Sequence, residues 1–278
     1  MFSLAALLDV GYTYLNTRFV NTTKFNFIKN QKGKHFDYVF VGSSRVINDI
    51  NAKIVDSCLK VNSVNFGIMD ARPKDILTVL KLLQLYEIKY DSVFIQTDYY
   101  YNSSERSNFL YIDMMPFIRE DISIKNYYEE EGDFLLLYYC PFYRFCKNDS
   151  KLGVRELLAS LRRKNQFEES KGFVSLYGFG DKWQRTLPDT ITEYNKYNKQ
   201  ILKFLRDNKI KSKFFVSPFR NDTQNLGFIQ LLSGKYPGLW DFSKSIPDDT
   251  KFKNGYHLNE RGAKEFSIIM SHKIKSER

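Results

Sequence analysis

The stretch VFVGSSRV (residues 39–46) decides how the chain is read. Four residues, HFDY, lead into an apolar, aromatic and β-branched run that stops abruptly at a glycine, two serines and an arginine. A run of this kind has the length and composition of a buried strand. Its ending has two physical explanations. The serines either cap the helix that follows, since serine is a favoured N-cap, or they present a hydroxyl at the edge of a sheet.

Outward from this stretch the pattern alternates. SRVINDINAKIVDSCL carries Val46, Ile47, Ile50, Ile54 and Val55 at helical spacing and predicts one helix, and KVNSVNFG predicts a second strand ending at Gly67. RPKDILTVLKLLQLYE predicts a helix with Pro73 in its first turn, where proline is tolerated, and YDSVFIQTDYYY predicts a third strand. Strands separated by helices imply parallel pairing through right-handed crossovers. Residues 102–188 interrupt the alternation. FLLLYYCPFYRF and VRELLASLRRK are helical there, whereas GFVSLYGFGD, with three glycines among aromatics, predicts an ordered loop. The alternation resumes with a long helix over DTITEYNKYNKQILKFLRDNK, a fourth strand SKFFVSPFR, a short helix NLGFIQLLSGKY and a fifth strand GLWDFSK. An amphipathic helix closes the chain, with Asn259 as its N-cap. The expected fold class is a three-layer, doubly wound parallel α/β sheet with a large, mostly helical insertion after the third strand. Sites in such sheets gather at the carboxyl ends of the strands, here residues 42–45, Gly67, residues 98–100 and residues 217–220.

The 278 residues are 43% hydrophobic, enough for a full core. Nineteen tyrosines and 24 phenylalanines exceed what one core needs, so some rings are expected on surfaces or in a groove. The net charge of +10 favours acidic partners, but the lysines are dispersed and no nucleic-acid-binding motif is present. Nucleic acid is therefore not an expected partner. Cys58, Cys140 and Cys146 form no C-x-x-C pair, which argues against a zinc site and a disulfide framework; they are expected as buried thiols. MFSLAALLDVGYTYL is apolar apart from Asp9 and too short to span a bilayer. It reads either as the end of a membrane anchor or as an amphipathic helix docked on the fold. The expected organisation is an N-terminal segment, 1–34, and one α/β domain, 35–278, with the insertion at 102–188.

Of three histidines, His35 precedes the first strand and His272 lies near the chain end. His257 stands in NGYHLNERGA, where a loop returns to the top of the sheet before the last helix. A serine at a strand-to-helix turn and a histidine before a late helix are the parts of a hydroxyl nucleophile and its base, with backbone amides to hold an oxyanion. A third possibility is a flavodoxin-like module whose turn at residues 42–44 holds a phosphate at a helix N-terminus.

Taken in order, these residues resemble the SGNH, or GDSL-type, hydrolases. GSSR resembles the first block, with Ser44 at the nucleophile. NFGIMDAR resembles the second, Asn-x-Gly, with Asn65 and Gly67. NGYHLNERGA resembles the last, with His257 at the base. The Gly-Ser-Ser-Arg variant, the insertion and the HLNERGA ending most resemble the cell-envelope branch, which includes the D-alanyl transfer protein of the teichoic-acid pathway and the alginate acetylation proteins.

The resemblance implies an SGNH- or flavodoxin-like fold and a serine esterase or O-acyltransferase that acts on an envelope polysaccharide or polymer. It also implies an acylated glycan or a membrane-bound acyltransferase as partner, a membrane-tethered or extracytoplasmic location, and no metal or redox cofactor. The implied site has Ser44 as nucleophile, His257 as base, Asn254 as orienter, and the amides of Gly67 and Ser44 as oxyanion donors, with Asn65 beside them. Arg45 either meets an anionic substrate group or projects from the helix start, and Asp98 is expected beside it, paired with Arg45 or Arg220. Two departures stand out. The acid three residues before His257 is Asn254, a change that costs about 10⁴-fold in kcat when made in a serine-protease triad; Asp248 and Asp249 lie nearby at other spacings. The third block, Gly-x-Asn-Asp, is replaced by QTDYYYN.

Overall fold

The computed structural model describes residues 2–180 and 184–277. Asp181, the last residue of the GFVSLYGFGD stretch, lies outside them. In chain order the elements are α1 (Phe2–Arg18), α2 (Lys24–Asn30), β1 (His35–Val41), α3 (Ser44–Asp49), α4 (Ala52–Leu59), β2 (Ser63–Asn65), α5 (Pro73–Leu85) and β3 (Lys89–Gln96). The insertion contributes α6 (Asn108–Met114), α7 (Ile122–Tyr128), α8 (Phe134–Tyr139), α9 (Tyr143–Lys147), α10 (Asp149–Leu152), α11 (Val154–Arg162) and α12 (Gln166–Glu169). Then come α13 (Lys196–Asp207), β4 (Ser212–Val216), α14 (Gly227–Lys235), β5 (Trp240–Asp241) and α15 (Glu260–Ser276).

The five strands lie in the order β2-β1-β3-β4-β5, all parallel, with Val39 opposite Val64 on one side and Val93 on the other. This is the doubly wound arrangement that the alternation implies. Residues two apart share a sheet face, and the core divides accordingly. Val39, Val41, Val93 and Ile95 pack with Leu77 and Leu80 of α5 and Ile201 and Leu205 of α13. Tyr38, Phe40 and Phe94 pack with Val55 of α4 and Phe266, Met270 and Ile274 of α15. A helical layer thus covers each face. The insertion joins the first of these layers: Tyr111, Met114, Phe117, Tyr128 and Phe145 are continuous with it, as are Phe25 and Ile28 of α2.

Several elements depart from the sequence reading for local reasons. The helix expected over residues 44–59 breaks at Ile50 and Asn51. The Asn51 side chain caps α4 at Lys53 N–H, and its own N–H donates to Ser267 Oγ. The third strand stops at Gln96, because Asp98 caps Tyr100 N–H and winds residues 99–102 into a 3₁₀ turn. The long helix before β4 starts only at Lys196, where the Asn195 carboxamide takes the N–H groups of Tyr197 and Asn198; Ile191 and Tyr194 precede it. All three cysteines are exposed and unpaired, not buried. Cys58 lies off the inward stripe of α4, which is Ala52, Val55 and Leu59.

Among the described residues no helix is long and apolar enough to cross a membrane. Asp9 of α1 is buried and fixed by Arg144 Nη1 at 3.0 Å, by Arg119 Nη1 at 2.5 Å and by Phe142 N–H at 3.0 Å. Leu4, Leu7, Val10 and Tyr14 of the same helix are exposed.

Candidate active site

Gly42 brings the chain off β1 close against β3: a Cβ there would lie 2.7 Å from Gln96 Cβ and 2.5 Å from Val46 Cγ2. The two serines that follow divide the roles the sequence left open. Ser43 is the N-cap of α3, accepting from Arg45 N–H at 3.3 Å. Its hydroxyl and its N–H both donate to Gln96 Oε1, at 2.8 and 3.0 Å. Ser44, the next residue, has its Oγ 2.8 Å from His257 Nε2 across 213 positions of sequence. That contact removes the premise of an isolated phosphate-binding turn.

His257 is brought over the sheet by a short lariat of chain. Lys253 N–H donates to His257 O at 2.8 Å, and Leu258 N–H donates to the buried Asp49 Oδ1 on α3 at 3.0 Å. Burial, assisted by the Arg45 guanidinium, pushes the imidazole pKa down to about 3, so the ring is neutral at physiological pH.

Which nitrogen carries the proton follows from Asn254. Its Oδ1 accepts from the N–H of Tyr256 at 3.2 Å and of His257 at 2.9 Å. Turning the carboxamide over would set its NH₂ against two donors. The Nδ2 group therefore faces His257 Nδ1, at 3.3 Å. An N–H donor there makes Nδ1 the acceptor and leaves the proton on Nε2, pointing at Ser44 Oγ. Asn254 orients the ring through its amide nitrogen, not through the amide oxygen that a triad acid would mimic. Asp248 caps Thr250 N–H, and Asp249 accepts from Asn221 N–H.

The remaining expected site residues turn inward. Gly67 N–H donates to Asn65 Oδ1 at 3.0 Å, and Asn65 Nδ2 donates to Val46 O and Ile50 O, closing the end of α3. The Gly67 amide is therefore engaged within the chain and not held open for an oxyanion. The close approach at Gly67 serves packing, since a Cβ would lie 2.8 Å from Ile47 N. The Ser44 amide, at the first helical position, has no intrahelical acceptor.

Arg45, expected either at a substrate or on the surface, is 0% exposed. It pairs with Asp98 at 3.1 Å, donates to Ser217 O and Pro218 O, and lies 3.7 Å from the Phe219 ring centroid. Asp98 also accepts from Gln96 Nε2 at 2.6 Å, while Arg220 pairs with Asp222. This network binds the ends of β1, β3 and β4 together beneath the serine.

Gln96 and Asp49 are the positions that sequence reasoning missed. Gln96 lies in the QTDYYYN stretch, whose departure from the family block drew attention to Asp98 instead. Asp49 gave no signal, being one acid in a helix; burial raises its pKa to about 7 against the opposing effect of Arg45. Residues 173–180 of the glycine-rich stretch form no helix, as expected, and pack against α3 and the start of α15. Val174 N–H donates to Ile47 O, Asn48 Nδ2 donates to Val174 O, and Glu260 N–H donates to Leu176 O. Tyr177 and Phe179 project from it, 67% and 68% exposed. Across the site Arg185 stacks on Tyr99, 3.6 Å from its centroid, and faces Tyr256, whose ring adjoins His257 at 4.6 Å. Among the described residues no His, Cys, Asp and Glu side chains group as a metal site.

The fold and site together define a doubly wound α/β protein with a serine–histidine pair at the carboxyl edge of its sheet. No family model matches the chain, and no curated protein matches it. Solved structures are similar to it, among them the following two. One is a Desulfitobacterium hafniense DCB-2 protein assigned to the G-D-S-L family of lipolytic proteins, with 12% identity, 86% of this chain and 98% of that chain covered, and a TM-score of 0.42. The other is a Streptococcus pneumonia protein assigned as a platelet activating factor, with 13% identity, 97% and 91% covered, and a TM-score of 0.39. At these scores the likenesses add nothing to the chemistry.

Proposed function

We propose that the chain is an SGNH-like serine esterase or O-acyltransferase acting on acyl groups of a cell-envelope polysaccharide or polymer. The observation that carries the reading is the 2.8 Å contact between Ser44 Oγ and His257 Nε2. Ser44 Oγ attacks the acyl carbonyl of an ester, His257 takes its proton through Nε2, and the Ser44 N–H donates to the oxyanion. The ester C–O bond then breaks, the alcohol leaves with the proton from His257, and the acyl group stays on Ser44. Water or a sugar hydroxyl then releases the acyl group, giving hydrolysis or transfer from one intermediate. For His257 to act as base, the proton on Nε2 has to move to Nδ1, against the Asn254 amide. The resting pair is accordingly slow. Exposed rings at Tyr177 and Phe179 suit the apolar faces of sugars, and the charge of +10 suits an anionic polymer or lipid surface. The outward leucines of α1 suit an envelope location beside a membrane.

A second reading is favoured by the Asn254 orientation and the engaged Gly67 amide: a catalytically weak SGNH scaffold that binds a glycan or a membrane acyltransferase. Labelling with a fluorophosphonate probe separates the two. Slow modification at Ser44, absent from Ser44→Ala, is expected. No modification of either wild type or Asn254→Asp would leave the scaffold reading, in which Ser44→Ala keeps its binding function.

A further inference from the structure

We propose that Asn254 is a self-modification site. The Asn254–Gly255 pair cyclises and hydrolyses to leave an aspartate in place of the asparagine, and this conversion activates the Ser44–His257 pair. The inference rests on the serine-hydrolase reading above and assigns that site a maturation step.

The sequence places the one residue without a Cβ directly after Asn254, so no side chain hinders the Gly255 nitrogen from reaching Asn254 Cγ. The step balances without an oxidant or reductant. The Gly255 N–Cγ bond forms, the Cγ–Nδ2 bond breaks, and ammonia leaves with the proton lost from Gly255 N. Water then opens the succinimide ring. Attack at Cγ gives aspartate; attack at the backbone carbonyl gives isoaspartate. The sum is asparagine plus water to aspartate plus ammonia.

Two features of the fold favour the first step. The oxygen of the attacked carbonyl accepts from two backbone N–H groups, those of Tyr256 and His257, at 3.2 and 2.9 Å. Negative charge develops on that oxygen as the tetrahedral intermediate forms, and preorganised amides stabilise such charge. Among the described residues the leaving nitrogen, in contrast, is held by the long 3.3 Å contact to His257 Nδ1.

The consequence for the site is stereochemically direct. In the aspartate so formed, one oxygen keeps the two backbone donors and the other takes the place of Nδ2. That oxygen is an acceptor facing Nδ1, so the imidazole proton moves to Nδ1 and the Nε2 lone pair faces Ser44 Oγ. An isoaspartate lengthens the backbone three residues before His257 and displaces the ring.

The test incubates the purified full chain at mildly alkaline pH and samples it over days. Each sample is mapped by peptide mass spectrometry that resolves asparagine, aspartate and isoaspartate at this position, and is labelled with the fluorophosphonate probe. The expected result is aspartate accumulating there with a parallel gain in Ser44 labelling rate of roughly 10²-fold or more, within the ~10⁴-fold that an asparagine costs a serine-protease triad. Gly255→Ala, whose Cβ obstructs cyclisation, is expected to stay at its starting rate. An Asn254 that stays intact, a product that is isoaspartate alone, or aspartate accumulating without faster labelling would each overturn the proposal. Asn254→Asp prepared directly separates the two levels. If it labels rapidly while the aged chain does not convert, the maturation step falls and the hydrolase reading stands. If it does not label, both fall.

Discussion

At residue 254 a single atom, nitrogen in place of oxygen, sets the resting state of the site. With the amide nitrogen against Nδ1, His257 is neutral and carries its proton on the side of Ser44. The pH dependence follows with a definite sign. A base must be unprotonated to act, and burial holds the wild-type imidazole to a pKa of about 3. Wild-type labelling is therefore expected to be slow and flat above about pH 5, where the ring is already neutral. In Asn254→Asp the carboxylate favours the imidazolium, so the ring's pKa rises. The rate then increases throughout but gains an acid limb, falling as pH drops through the raised value. A pH profile of labelling for both proteins checks this; parallel flat profiles would show that residue 254 does not govern the ring. The histidine's linkage to stability runs the same way. Its folded pKa lies below the ordinary 6.5, so its contribution is present above that pH and is lost as pH falls towards 3. Serine, histidine and asparagine could all be picked out from their spacing in the chain. The direction of the carboxamide could not, because two backbone N–H groups in a turn decide it.

The elements around the site are joined by buried polar side chains that hydrophobic periodicity does not encode. The carboxamide of Asn65 closes α3 at Val46 O and Ile50 O and takes the Gly67 N–H. The sequence marked this pair as oxyanion machinery, whereas the structure uses it to end a helix. Gly67 packs on α3 tightly enough that Gly67→Ala forces a Cβ to 2.8 Å from Ile47 N. The expected cost is ~1–3 kcal/mol of overpacking, with α3 and Ser44 displaced. Urea denaturation and Ser44 labelling together test this. An alanine variant of unchanged stability would mean that α3 moves freely on β2. Element boundaries were misread for a related reason. Asn51, Asp98 and Asn195 each end or begin an element through a side-chain cap, and such caps override the apolar spacing that predicts longer helices and strands.

For the whole molecule, the layer order was legible because strand and helix periods alternate cleanly in β1 to β3 and again from α13 onward. The insertion was legible only as helical. Its seating depends on long-range pairs such as Asp9 with Arg144, which are 135 residues apart. Both are buried, and burial lowers the Arg144 pKa to about 10 against the pull of Asp9. Asp9→Ala leaves that guanidinium without its carboxylate and frees Phe142 N–H. Removing one partner of a buried pair costs about 3–5 kcal/mol, so a lower urea midpoint is expected, with α1 and the α8–α9 region exchanging amide hydrogens faster. Unchanged exchange there would show that α1 is held by apolar contacts alone.

The sheet ends in strands of three and two residues, β2 and β5. Each outer margin therefore offers a stranger's main chain only a few rungs to climb. Sheets grow from one molecule into the next by such rungs, and the lysines Lys171 and Lys213 stand beside these margins. Crowded copies of this chain will meet through their side chains, and fibrous self-association seeded at the folded sheet has little to start from.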